Sequence, residues 1–231
     1  MKQYLILSGV MYFCSTAFGA ACLPGTLQDY VNLGASGCQN GNVVFSSFTS
    51  APGQFGAIPI GLSQVAVLPG GSAFFSNLQF TINQTATSGQ LLESFFRFKA
   101  AGPSLVAATV NINSPFVTND GANIASLDIC PGAMFSGNSP SGCPASQSAI
   151  SLETVGFSML SDSKTFTARS FFDIFADLTA DGGSAGSARF GSASVTINST
   201  PEPATTLLVL GGLTMLALTK RVKRNLSEGI K

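Results

Sequence analysis

The sequence predicts an all-β protein, an antiparallel β-sandwich of jelly-roll type, set between an N-terminal secretory signal peptide and a C-terminal transmembrane helix. Three observations predict it. Short apolar runs rich in Val, Ile, Phe and Thr recur roughly every 10–15 residues, separated by Gly, Pro, Asn, Asp and Ser. Several runs alternate, as in 194–198, where Val195 and Ile197 face one way and Ser194, Thr196 and Asn198 the other. Charged residues are only 10% of the chain, against 19 Phe and 45% apolar residues, a composition that folds and that suits an extracellular β domain.

The first element, residues 1–21, carries Lys2, an apolar stretch over 4–13 and small residues at 19–21. Charge, short apolar core and small-residue exit are the parts of a secretory signal peptide, with cleavage expected after Gly19 or Ala21. The body, 22–200, offers strands at 42–48, 62–68, 73–82, 91–99, 105–112, 124–129, 149–160, 164–179 and 188–198. About nine alternating strands bury one face each, so two sheets must cover one another; a closed barrel is the alternative that periodicity leaves open. Within 171–178, Phe171, Ile174, Phe175 and Leu178 also fit a helical stripe, although a strand is the preferred reading. The many phenylalanines and the absence of Trp suit a packed core better than an aromatic platform for sugars, for which the body has only Tyr30 among its tyrosines. The stretch 181–187, DGGSAGS, reads as a loop.

Cys14 lies in the signal peptide, which leaves an even set: Cys22, Cys38, Cys130 and Cys143. Three connectivities are possible, and the local one, Cys22–Cys38 with Cys130–Cys143, is preferred; each bridge contributes about 3 kcal/mol in the chain-entropy model. Such pairs belong to an oxidising compartment. The spacing is too wide for a zinc site and no histidine is present.

The lack of histidine also removes Ser-His-Asp and Cys-His catalysis. Hydrolysis would have to rest on carboxylates, with Glu93, Glu153, Asp128 and Asp173 as the available donors of a glycosidase pair. Nothing in their surroundings singles out two of them, so no catalytic residue is nominated. Asp173, Asp177 and Asp181 recur at intervals of four ahead of Gly182 and Gly183, but they match no calcium-loop pattern. Neither a metal nor a cofactor is expected. Asn119, Asp120 and Gly121 read as a turn, as do Asn138, Ser139 and Pro140. Residues 22–200 carry five basic and nine acidic side chains, a net charge of minus four without a basic stripe, which argues against nucleic acid.

The last element begins with Pro201, Glu202 and Pro203, continues uncharged and mostly apolar over 204–219, and ends in Lys220, Arg221, Lys223 and Arg224. The apolar stretch is at the lower limit of a bilayer span, and the basic cluster keeps its own end cytoplasmic, which puts the body on the outer side, as the signal peptide does. This arrangement resembles the PEP-CTERM sorting signal of exported bacterial surface proteins. The resemblance covers about 199–224 and departs from the pattern in the polar extension 225–231. It implies recognition by an exosortase-type membrane peptidase near Pro201–Pro203, a lipid bilayer as the transient or stable partner, and association with exopolysaccharide. The expectation is therefore an exported, non-catalytic surface or matrix protein, with a secreted carbohydrate-binding module or a carboxylate-dependent glycosidase as alternatives.

Overall fold

Residues 75–87 set the pattern: Ser76, Leu78, Phe80, Ile82 and Ala86 turn inward while Asn77, Gln79 and Thr81 turn out. The computed structural model describes residues 19–51, 56–144, 148–153 and 160–200. The signal segment 1–18, the Pro201–Pro203 motif, the 204–219 stretch, the basic cluster and the second half of the strand expected over 149–160 lie outside the described residues. In chain order the elements are β1 (Gly25–Thr26), α1 (Leu27–Asn32), β2 (Cys38–Asn40), β3 (Val43–Ser50), β4 (Ile58–Pro59), a 3-10 turn (Leu62–Gln64), β5 (Val65–Ser72), β6 (Phe75–Thr87), β7 (Leu91–Asn113), β8 (Phe116–Thr118), β9 (Ala122–Pro131), β10 (Ser148–Glu153), β11 (Ser161–Asp181) and β12 (Ser187–Ser199). Among the described residues no helix is long and apolar enough to cross a membrane.

All-β antiparallel architecture is as expected, with one short parallel pair, β4 against β7. The layering comes from two long strands that turn a corner. The first half of β7 pairs with the second half of β11 and with β3, while its second half pairs with the first half of β11 and with β12. One layer therefore runs β10-β9-β11-β7-β3-β2, and the other runs β11-β7-β12-β6-β5-β1. That the two face each other follows from Phe80 of β6 and Phe96 of β7, whose rings lie 4.9 Å apart although they belong to different layers. The expected break around Gly102 and Pro103 is thus a corner, 91–99 and 105–112 forming one continuous strand, and the strand expected over 164–179 turns a corner of its own at 168–170.

Gly102 makes its corner possible, since a Cβ there would lie 2.8 Å from the Asn42 carbonyl and 2.9 Å from Leu105. Opposite it, the register of β11 slips between Thr165, Arg169 and Phe171. A further slip at Gly191, which has φ +69, changes the inward set of β12 from Ala188 and Phe190 to Ala193, Val195 and Ile197.

The core is a phenylalanine spine, as the composition predicts. Tyr30, Phe48, Phe98, Phe96 and Phe80 follow one another at ring separations of 5.3, 5.1, 6.1 and 4.9 Å. Tyr30 comes from α1, whose first turn is closed by a capping box between Thr26 and Asp29. It is 2% exposed and donates its hydroxyl to the Leu23 carbonyl, so the body's one tyrosine is a core residue and not a sugar platform. Burial pushes its hydroxyl pKa up to about 12.

Candidate functional site

Both disulfides form with the local connectivity. Cys22–Cys38 ties the start of the body to β2, with the Cα atoms 4.8 Å apart, and Cys130–Cys143 closes the loop after β9, with the Cα atoms 5.6 Å apart. Two bridges in one domain fit an oxidising, extracytoplasmic environment.

That second loop covers part of the outer face of the β9-β11-β7 layer. On β11 the even residues from Phe172 to Ala180 face the core, and the odd ones face outward. Phe95, Phe175, Cys130 and Phe135 form a second apolar cluster there, with Phe135 edge-on to Phe175 at 5.2 Å. The loop is held by charge as well as by apolar contact. Arg97 grips Asp173 through Nε to Oδ1 at 2.9 Å and Nη2 to Oδ2 at 2.6 Å, and it also donates to the carbonyls of Phe135 and Gly137. The Phe135 amide donates to the same Asp173 carboxylate at 2.7 Å. Asp173 is 1% exposed.

This geometry places the carboxylates weighed for chemistry. Glu93, Asp128, Asp173 and Asp177 sit on neighbouring strands at positions of one outer face. Asp173 is committed to Arg97 and the loop amide. Glu93 is 4% exposed. Burial pushes the Asp177 carboxyl up, nearby Asp128 adds to that, and the hydrogen bond from Thr179 opposes it. Glu153 lies on β10 opposite Ile124, outside the residues whose side chains are described. The Asp173, Asp177, Asp181 series shares a face, but Asp181 caps the turn by accepting from the Gly183 amide. Among the described residues no three acidic or sulfur side chains converge as a metal site.

The opposite outer face has a different character, which sequence reading missed. Register alignment puts Ala66, Leu68 and Gly70 of β5, Phe75, Asn77, Gln79 and Thr81 of β6, and Ser192, Ser194, Thr196 and Asn198 of β12 on one surface. It continues through Ala107, Thr109, Asn111 and Asn113 of β7 to Ser161, Ser163 and Thr165 of β11. None of these positions is charged; the exposed Arg189 of β12, opposite Thr85, lies beyond them. The side chains bond to one another in rows: Asn77 donates to Thr196 at 2.8 Å, Gln79 to Ser192 at 3.2 Å and Asn111 to Ser194 at 3.4 Å. Each strand looks ordinary alone, because alternating Ser, Thr and Asn is how any half-buried strand reads; pairing makes the uncharged sheet.

No protein-family model and no curated protein matches the chain. Among solved structures, the carbohydrate-binding module TmCBM61, solved in complex with β-1,4-galactotriose, is similar at 13% identity over 54% of this chain and 67% of that one, with a TM-score of 0.21. A superposition that slight carries no argument about this protein.

Proposed function

We propose that the chain is an exported, non-catalytic surface or matrix protein, sorted through its PEP-CTERM-like tail, and that its uncharged sheet face engages neutral stretches of exopolysaccharide. The observation that carries the second part is the uncharged patch of amides and hydroxyls formed by Asn77, Gln79 and Thr81 of β6, Ser192, Ser194 and Thr196 of β12 and Thr109, Asn111 and Asn113 of β7. Such groups exchange hydrogen bonds with water for hydrogen bonds with sugar hydroxyls, and they avoid the desolvation penalty that a buried unpaired charge would bring. Without a stacked aromatic platform each contact is weak, so retention grows by repetition along a polymer. The pairing of two disulfides with an all-β body supports export, and the committed Asp173 counts against a hydrolase that would use it.

Two measurements test the reading. Intact-mass analysis of the protein from a host with and without its sorting peptidase is expected to show loss of the N-terminal segment and a new C-terminus near Pro201–Pro203; a full-mass cytosolic product refutes export and sorting. In affinity electrophoresis through gels containing the host's exopolysaccharide, the wild type is expected to be retarded, and Gln79→Glu with Thr196→Asp to lose most of that retardation. Equal mobility with and without polysaccharide removes the glycan half of the proposal.

A further inference from the structure

The body ends against a hairpin that carries two exposed phenylalanines. Thr200 is fixed to the β7 corner by its amide to the Ser104 carbonyl and its hydroxyl to Ser104 Oγ, both at 2.9 Å. One residue earlier the Ser199 amide donates to the Phe74 carbonyl at 2.9 Å. Phe74, in the turn between β5 and β6, is 37% exposed, and Phe75 beside it is 56% exposed. The hairpin is held in place by hydrogen bonds from the β2–β3 turn. Asn40 donates to the Gly70 and Asn77 carbonyls, Asn42 donates its amide to Ala73, and Gly71, with φ +98, sits where a Cβ would lie 1.9 Å from the Phe75 carbonyl.

From Thr200 to the start of the apolar stretch at 204 the chain can reach at most about 14 Å. The end of the sandwich that holds Phe74 and Phe75 is therefore tethered within that distance of whatever surface receives the stretch. Its chemistry suits a lipid interface. No charged residue occurs between Asp29 and Glu93, a stretch that includes both the hairpin and the β2–β3 turn packed on it, so nothing there needs its charge desolvated. Aromatic rings favour the boundary between headgroups and acyl chains.

We infer that the β5–β6 hairpin docks on the outer leaflet of the bilayer through Phe74 and Phe75 and holds the Pro201–Pro203 segment at headgroup level until the tail is processed. The inference rests on reading 204–219 as a span. Because the contact is apolar, it is independent of salt.

The test uses the absence of tryptophan from the chain. Full-length Phe75→Trp in phosphatidylcholine proteoliposomes is expected to show blue-shifted emission, strong quenching by lipids with a shallow nitroxide label, and no change at high salt. Phe116→Trp is the control: Phe116 is 49% exposed and pairs with Arg189, nine residues along β12 from Asn198, the partner of Phe75. That is about 30 Å of strand, and this tryptophan is expected to stay unquenched. Phe74→Trp repeats the measurement should Phe75→Trp misfold. Carbonate-resistant flotation of the same vesicles reads insertion of the tail separately. Floating vesicles whose hairpin tryptophan behaves like the Phe116→Trp control overturn the docking alone, and failure to float overturns the span and the docking with it.

Discussion

At the scale of single residues, the carboxylates divide by what surrounds them. Asp120 is an exposed turn residue that ties two loops together: it accepts from the Ser184 hydroxyl at 2.6 Å, the Ser184 amide at 2.8 Å and the Ala185 amide at 3.0 Å. The Ser184 hydroxyl first, then the two amides, hold its pKa down at about 2, from an ordinary value of 3.8. A depressed folded-state value means that its contribution to stability is present above the unfolded value and is lost as pH falls through the folded one. Asp120→Ala is therefore expected to lower the thermal midpoint at pH 7, with the gap from wild type closing between about pH 4 and pH 2. A gap that persists unchanged to pH 2 contradicts this assignment. The turn itself was legible in Asn119-Asp120-Gly121, and Asn119 takes the positive φ of 49 that such a turn favours. Its partner was not legible, since Ser184 lies 64 residues away and its hydroxyl resembles that of any other serine in a loop.

At the scale of elements, β11 shows why the helical alternative arose over 171–178. A strand covered on one face alternates; here the even residues face the core and part of the odd face is covered by the disulfide-closed loop, so apolar residues occur at both parities and the period of two is lost. Phe175 belongs to that outer cluster and Ile174 to the core, which together imitated a helical stripe. The loop depends on its ion pair. Asp173→Ala leaves Arg97 without its partner and the Phe135 amide without its acceptor, and removing one member of a buried pair costs about 3–5 kcal/mol. Chemical denaturation is expected to show a loss of that size together with new protease cleavage inside 132–144. An unchanged midpoint and an uncut loop would show that the disulfide and Phe135 suffice. Spacing suggested the Cys130–Cys143 pairing, but no spacing relates Arg97 to Asp173, which meet because β7 and β11 are neighbours.

At the scale of the whole molecule, the two layers share β7 and β11 and are therefore expected to unfold as one cooperative unit. Phe96 sits at the contact between layers, fully buried, stacked with Phe98 and tilted against Phe80. Phe96→Ala is expected to cost about 3–5 kcal/mol and to shift one denaturation transition without splitting it. Two separated transitions, one for each layer, would contradict the shared-strand account.

The sequence by itself determined the all-β class and most of the long strands, though not the short β1, β2, β4 and β8 or α1, together with turn residues, the phenylalanine core and the even set of cysteines, because alternation, glycine conformation and apolar burial are properties of neighbours along the chain. Its ends carry the signals that remain proposals here, export at one and sorting at the other. Tertiary structure decided where Gly102 becomes a corner and not a break, which carboxylate is neutralised by Arg97, and which Ser, Thr and Asn residues align into one uncharged face. The physical reason is register: side chains on paired strands lie about 5 Å apart while their residues stand tens of positions apart in sequence, and no local pattern records which strand lies next to which.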